Sequence, residues 1–146
     1  MALPPRREGA PSFGAVSLAS KWTVGVGREL AIDVMVKNIG GAARGVWVEL
    51  GGPAASSVEL CGAALDDETA AVDGARASIP KASVAAGFDY VRKRGEPPPP
   101  DESRTLRIVV RATSAGSALF TIRVGPGNGE TTSGSALVGR MLEITP

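Results

Sequence analysis

The chain has 146 residues, of which 16 are Lys or Arg, 15 are Asp or Glu and none is His, for a formal charge of +1. That length suits one ordinary domain, and a 43% share of hydrophobic residues supplies a core. The absence of histidine excludes Ser-His-Asp and Cys-His catalysis, His-ligated metal and a histidine pH switch; near-neutral charge gives no strong pull on nucleic acid or membrane.

In chain order, residues 1–12 are Pro-rich and basic and read as a mobile tail. They hold no apolar stretch of signal-peptide length, and no run of 18 apolar residues occurs anywhere. The expectation is a chain without membrane insertion, cytoplasmic by default and extracellular if it is an excised module. Residues 13–18 read as an opening edge strand, and Trp22, just before a turn at 25–27, as an edge-packing residue. Residues 29–38 (ELAIDVMVKN) alternate strictly: Leu30, Ile32, Val34 and Val36 fall on one face, Asp33 and Lys37 on the other, as in a half-buried strand. Asn38-Ile39-Gly40-Gly41 is a turn signal whose glycines accept positive φ. Residues 45–50 (GVWVEL) then put Val46, Val48 and Leu50 on one face and Trp47 and Glu49 on the other. The two stretches together predict a hairpin, with Asn38 bonding the turn backbone and fixing its register.

The middle is less regular, with short strands expected at 57–61, 75–79 and 84–90. Residues 92–103 (RKRGEPPPPDES) read as a surface loop, extended as polyproline II across the prolines at 97–100. Residues 104–112 alternate Leu106, Ile108 and Val110 against Arg107 and Arg111. A turn at 114–116 leads to Phe120, Ile122 and Val124 alternating with Thr121 and Arg123, so these also read as a pair. Asn128-Gly129 is a strong hairpin signal before a last strand near 136–144. Seven to nine short strands with regular turn signals predict an all-β fold, an antiparallel immunoglobulin-like β-sandwich over 13–146. A jelly roll or partly open barrel is the competing architecture.

Residues 22–50 (WTVGVGRELAIDVMVKNIGGAARGVWVEL) resemble the opening of bacterial immunoglobulin-like modules, in particular the cell-adhesion-related bacterial domain (CARDB) and the modules that accompany glycoside hydrolases. The shared phrase is Gly27, the alternating strand ending Val36-Lys37-Asn38, Gly40-Gly41, and the Val-rich strand from Val46. Residues 103–124 are similar to the paired late strands of those modules, whereas 51–102 are longer and Ala-rich and depart from the pattern. The resemblance implies a non-catalytic module that links, spaces or binds within a larger surface-associated assembly.

Several motifs offer candidate sites. Asp66, Asp67, Glu68 and Asp73 offer oxygen donors but lack EF-hand spacing and read as a solvated loop. Gly125, Gly127 and Gly129 precede a strand rather than a helix, so they are turn residues and not a dinucleotide fingerprint. Cys61, the sole cysteine, reads as a small buried hydrophobe. The proline run reads as a rigid loop. No catalytic, cofactor or metal residue emerges. An outward Trp47 beside Glu49 suits a partner protein or a sugar ring, unless the tail or the 92–103 loop covers it. Arg107, Arg111 and Arg123, read as one outward basic stripe, suit an acidic partner or a solvated face. Two Trp, one Tyr and three Phe are too few for a single-stranded nucleic-acid platform. The expected function is non-enzymatic: a structural or protein-interaction module using an outer sheet face or an edge strand, self-assembly included, with Trp47, Glu49, Arg107, Arg111 and Arg123 as candidate partner-binding residues. The alternative is a carbohydrate-binding accessory module of a hydrolase.

Overall fold

In the computed structural model, which describes residues 4–87, 94–95, 103–127 and 134–146, the alternating segments become eleven strands and one 3-10 turn, Pro53–Ser57. The strands are β1 (Phe13–Val16), β2 (Trp22–Gly25), β3 (Glu29–Asn38), β4 (Ala43–Gly51), β5 (Val58–Leu65), β6 (Glu68–Thr69), β7 (Ala71–Asp73), β8 (Arg76–Val84), β9 (Ser103–Ala112), β10 (Gly116–Pro126) and β11 (Ala136–Thr145). Sheet I has the order β1-β3-β9-β5-β6, and sheet II the order β2-β11-β10-β4-β8-β7. Neighbours are antiparallel except β2, which runs parallel to β11. The two sheets make an immunoglobulin-like β-sandwich.

The inward positions are those that alternation marks. Ile32, Val34 and Val36 of β3 and Leu106, Ile108 and Val110 of β9 are buried in sheet I. Val46 and Val48 of β4, and Phe120, Ile122 and Val124 of β10, are buried in sheet II. Each such side chain contributes about 1.5–3 kcal/mol by leaving water. Trp22 enters this core from β2 and meets Phe120 edge to face, at 5.8 Å between centroids and 79° between planes.

Strand pairing differs from the sequence expectation in one respect. β3 and β4 belong to different sheets, so residues 39–42 form an arch between layers rather than a hairpin. The same holds for β9 and β10. Alternation marks the buried face of a strand, and that mark is identical in either layer. Stacked sheets lie roughly 10 Å apart, a gap that a four-residue link spans as easily as it returns to the same sheet. β10 and β11 do pair, from Gly116↔Ile144 to Val124↔Ala136; the Asn128-Gly129 turn lies outside the described residues. Two short hairpins are added, β5–β6 across Asp66-Asp67 and β7–β8 across Gly74-Ala75. Asp66 (φ 49°) and Gly74 (φ 60°) take the left-handed conformation these turns need.

The strands expected at 57–61 and 75–79 overlap β5 and β8, each of which starts one residue later and runs further. Residues 85–87 are not strand, 88–90 lie outside the described residues, and so does most of the 92–103 loop with its prolines. The chain changes sheets from β1 to β2 on one side of the sandwich and from β6 to β7 on the other. Arg140 secures the first crossing: its guanidinium donates to the carbonyls of Ala19 (3.0 Å), Ser17 (3.3 Å) and Gly139 (2.7 Å).

The described part of the expected tail, residues 4–12, is docked. The Arg7 amide donates to Gly87 O (2.6 Å), the Ile39 amide to Ser12 O (2.8 Å) and the Gly41 amide to Ala10 O (3.0 Å). Asn38, only 5% exposed, ties three segments together. Its Oδ1 accepts from the amides of Gly40 (3.0 Å) and Ser12 (3.1 Å), and its Nδ2 donates to the carbonyls of Gly41 (2.6 Å) and Ala85 (3.2 Å). Gly40 and Gly41 do not adopt positive φ. They are small because the tail lies against them: a Cβ would stand 2.4 Å from Ala10 O at Gly40 and 1.9 Å from Gly9 O at Gly41.

Candidate functional site

The five candidate residues divide between the two outer faces. Arg107 and Arg111 project from β9 on sheet I, whereas Arg123 projects from β10 on sheet II, because the expected β9–β10 pair is an arch. The single basic stripe is therefore absent. On sheet I, register places Arg107 opposite Asp33 and Arg111 opposite Glu29 and Glu59. Arg107 grips Asp33 through both guanidinium edges, Nε to Oδ1 at 2.8 Å and Nη2 to Oδ2 at 3.2 Å. That hydrogen bond holds the Asp33 carboxyl below its ordinary range and raises Arg107. Arg111 pairs with Glu29 at 3.4 Å; Arg104, on the inward side of β9 with Leu106, instead reaches Asp66 and the Ser83 carbonyl of sheet II and is not part of this face. This face is a ladder of cross-strand ion pairs, exposed and of little net energy each.

Sheet II gathers the other three. Trp47 faces outward as expected, yet it is only 6% exposed. Gly125 stands opposite Trp47 in register, and the indole lies across that glycine, where a Cβ would fall 2.2 Å from the ring. The indole N–H donates to Pro126 O at 3.1 Å, and the Arg76 guanidinium sits 4.8 Å from the ring centroid. The ring thus braces β4 against β10 and offers no bare face for stacking. Glu49 is exposed and meets Arg76 at 3.8 Å. Arg123 lies opposite Glu49 and Leu137, and bonds Ser135 Oγ at 3.0 Å.

Beside Arg123 is a feature the sequence reading passed over. Leu119, Leu137 and Met141 point outward from β10 and β11 and are 44%, 52% and 48% exposed. Leu119 stands opposite Met141, Arg123 opposite Leu137, and Thr121 between Gly139 and Gly51. The Thr121 and Leu119 side chains lean over Gly139, within 3.6 Å of where its Cβ would be, so the face is flat. On sheet I the outward positions of β3, β5 and β9 carry no comparably exposed large hydrophobic, and Val16, 51% exposed, stands alone on the edge strand β1. The signal was legible: with Val138, Leu142 and Ile144 inside, alternation puts Leu137 and Met141 outside, where a solvated strand carries polar residues.

The remaining motifs resolve as local structure. Asp66 and Asp67 make a turn, and among the described residues no group of three or more Asp, Glu, Cys or His side chains is placed to hold a metal ion. Gly127 packs against Arg44 O and Gly45 and donates its amide to Gly45 O. Cys61 is exposed, not buried, because a bulge between Leu60 and Gly62 interrupts the alternation of β5.

No family model and no curated protein matches the sequence. Solved structures share its architecture. The CFA/I enterotoxigenic E. coli adhesin CfaE superposes with a TM-score of 0.53 at 10% identity, covering 92% of this chain and 48% of that one. A family 123 glycoside hydrolase from Clostridium perfringens gives 0.51 at 9% identity, over 92% of this chain and 27% of the hydrolase. The likeness is one of fold. The chain spans about half of the adhesin chain and about a quarter of the hydrolase chain. A CARDB domain from Pyrococcus furiosus matches more loosely, with a TM-score of 0.41 at 14% identity over 94% of both chains. These likenesses assign the chain to no family, the cell-adhesion-related domain included.

Proposed function

We propose that the chain is a non-catalytic interaction module that docks a protein partner through the outer face of sheet II. The observation that carries this reading is the flat patch of Leu119, Leu137 and Met141, bordered by Arg123 and Glu49. An apolar centre with a charged rim is the anatomy of a protein-binding surface. Sheet I, faced with paired charges, suits solvent. Of the residues expected to bind, Glu49 and Arg123 keep a place at the rim; Trp47 lies on the same outer face, flat over Gly125, and Arg107 and Arg111 lie on the other side of the sandwich. Glycan stacking requires an open ring, which the Gly125 and Arg76 contacts deny to Trp47.

The test is photo-crosslinking in the cells that make the protein, with benzoylphenylalanine placed at Met141 or, on the opposite face, at Glu59. Protein adducts from position 141 and none from position 59 are expected. Adducts from position 59 alone, or equally from both, would overturn the assignment.

A further inference from the structure

β1 covers only one end of β3. The two pair from Phe13↔Asn38 to Val16↔Met35, and the chain then crosses to sheet II as β2. Among the described residues no strand lies beside Glu29–Val34 on that side. Two bonds fix where the backbone groups of this run point. The Ile39 amide donates to Ser12 O on the β1 side, and Arg28 O accepts from the Ala112 amide on the β9 side. The pairing of β3 has no bulge, so its odd-numbered residues bond away from β9. Glu29, Ala31 and Asp33 therefore turn three N–H and three C=O groups to the open side. Burial follows the cover: Ala31 and Asp33 are exposed, whereas Met35 and Lys37, beside β1, are half-buried.

The other sheet edges are guarded. β1, β2, β6 and β7 are at most four residues long. Beyond β7, β8 carries Pro80, which has no N–H, and Lys81, and Arg104 bonds Ser83 O. Beyond β6, β5 bulges between Leu60 and Gly62, and Arg140 bonds Gly139 O beside β11 where β2 does not reach. Such devices keep an edge from pairing with other chains. Residues 29–34 hold no proline, lysine or bulge, and exposed apolar side chains border both ends, Val16 and Leu18 at one and Val26 at the other. We infer that this edge of β3 accepts an extended segment of a partner protein as an added strand, with one basic side chain beside Glu29 and another beside Asp33. Charge sets that chemistry. Glu29 and Asp33 of β3 stand opposite Arg111 and Arg107 of β9, and Arg111 stands opposite Glu59 of β5, so acidic and basic rows alternate strand by strand. A strand outside β3 continues the alternation when it brings bases to the acids. A second copy does the reverse, since two β3 edges overlapped antiparallel about Ala31 set Glu29 against Asp33 at both ends. This edge belongs to sheet I and is separate from the sheet II docking face.

The probe is a fluorescein-labelled peptide, Thr-Lys-Val-Ser-Val-Lys-Thr, whose lysines match the spacing of Glu29 and Asp33 and whose valines cover half-buried Leu30. Its counterpart carries glutamate in place of both lysines. Fluorescence polarisation with the full chain at about 0.15 M salt should show saturable binding of the basic peptide below about 1 mM, and at least about fivefold weaker binding of the acidic one. Amide exchange followed by NMR should slow at Ala31 and Asp33 on binding, and stay unchanged at Leu30 and Ile32, which β9 already holds. Ala31→Pro removes an edge N–H without touching the β9 ladder and should abolish binding. Should that variant fail to fold, Glu29→Lys decides: it should weaken the basic peptide at least about fivefold, whereas Glu59→Lys, the same charge change on β5, should alter its affinity less than about twofold. No saturable binding of the basic peptide, equal binding of the acidic one, or a folded Ala31→Pro that binds normally overturns the proposal. Protection of Ala31 and Asp33 by self-association without peptide would make a second copy the occupant and overturn it equally. None of these results bears on crosslinking from position 141.

Discussion

Asn38 offers the sharpest test of how this sandwich is held together. Its amide makes four hydrogen bonds at 5% exposure, joining the end of β3, the arch after it, the N-terminal segment and residues 85–87. Asn38→Ala removes all four and leaves two amides and two carbonyls short of partners. At about 1 kcal/mol net per bond, with part of the freed backbone reaching water, the loss is about 3–5 kcal/mol. For a chain of this size that lowers Tm by roughly 10–15 °C. Asn38→Asp separates the two halves of the network. The acceptor bonds to Ser12 and Gly40 survive, but an oxygen replaces the donor 2.6 Å from Gly41 O. The introduced carboxyl must stay protonated to fit, which raises its folded pKa above the unfolded one. The variant should therefore be closest to wild type at about pH 4 and lose stability as pH rises toward 7. Urea unfolding at both pH values reads this, and trypsin trimming at Arg6 and Arg7 reports release of the N-terminal segment. A loss below about 1 kcal/mol for Asn38→Ala, or a pH-independent Asn38→Asp, would refute the network as the clasp of the fold.

Other substitutions probe separate joints. Gly41→Ala puts a methyl 1.9 Å from Gly9 O, so it should free the N-terminal segment to trypsin; unchanged cleavage would show that the segment is not held there. Gly125→Ala drives a methyl into the Trp47 ring and should cost about 1–3 kcal/mol and red-shift tryptophan emission, and an unaltered spectrum would contradict the bracing role. Arg140→Met leaves the carbonyls of Ser17, Ala19 and Gly139 without their donor; hydrogen exchange should accelerate in β1 and β2 before the core, and uniform exchange would argue against a local strap. Asp33 sits below its ordinary value of 3.8 because of Arg107, so its contribution is present above that pH and lost as pH falls through the lowered folded value. The stability gap between wild type and Asp33→Asn should thus close in strong acid, and a gap equal at neutral and acidic pH would remove the ion pair as its source.

What the sequence discloses, and what it withholds, follows from the range of each signal. Alternation is local, so the inward residues of β3, β4, β9 and β10 could be read directly. Pairing is not local. The Asn38-Ile39-Gly40-Gly41 stretch looks like a hairpin turn, yet its glycines answer to a segment about thirty residues earlier in the chain, whose carbonyls come within 2.4 Å of where a side chain would begin. Trp47 shows the same limit. Its outward direction follows from Val46 and Val48, but its enclosure depends on Gly125, which register alone brings beneath it. The separation of Arg123 from Arg107 and Arg111 has this cause too, since a three-residue link can return to its own sheet or cross to the other. By contrast, the Asp73-Gly74 turn and the outward Leu137 and Met141 were readable from neighbours two residues away. The docking face thus lies on the legible side of the divide: a strand that keeps Val138, Leu142 and Ile144 inside has no packing reason to place leucine and methionine outside, and that surplus is the one apolar signal on β11 that folding does not consume.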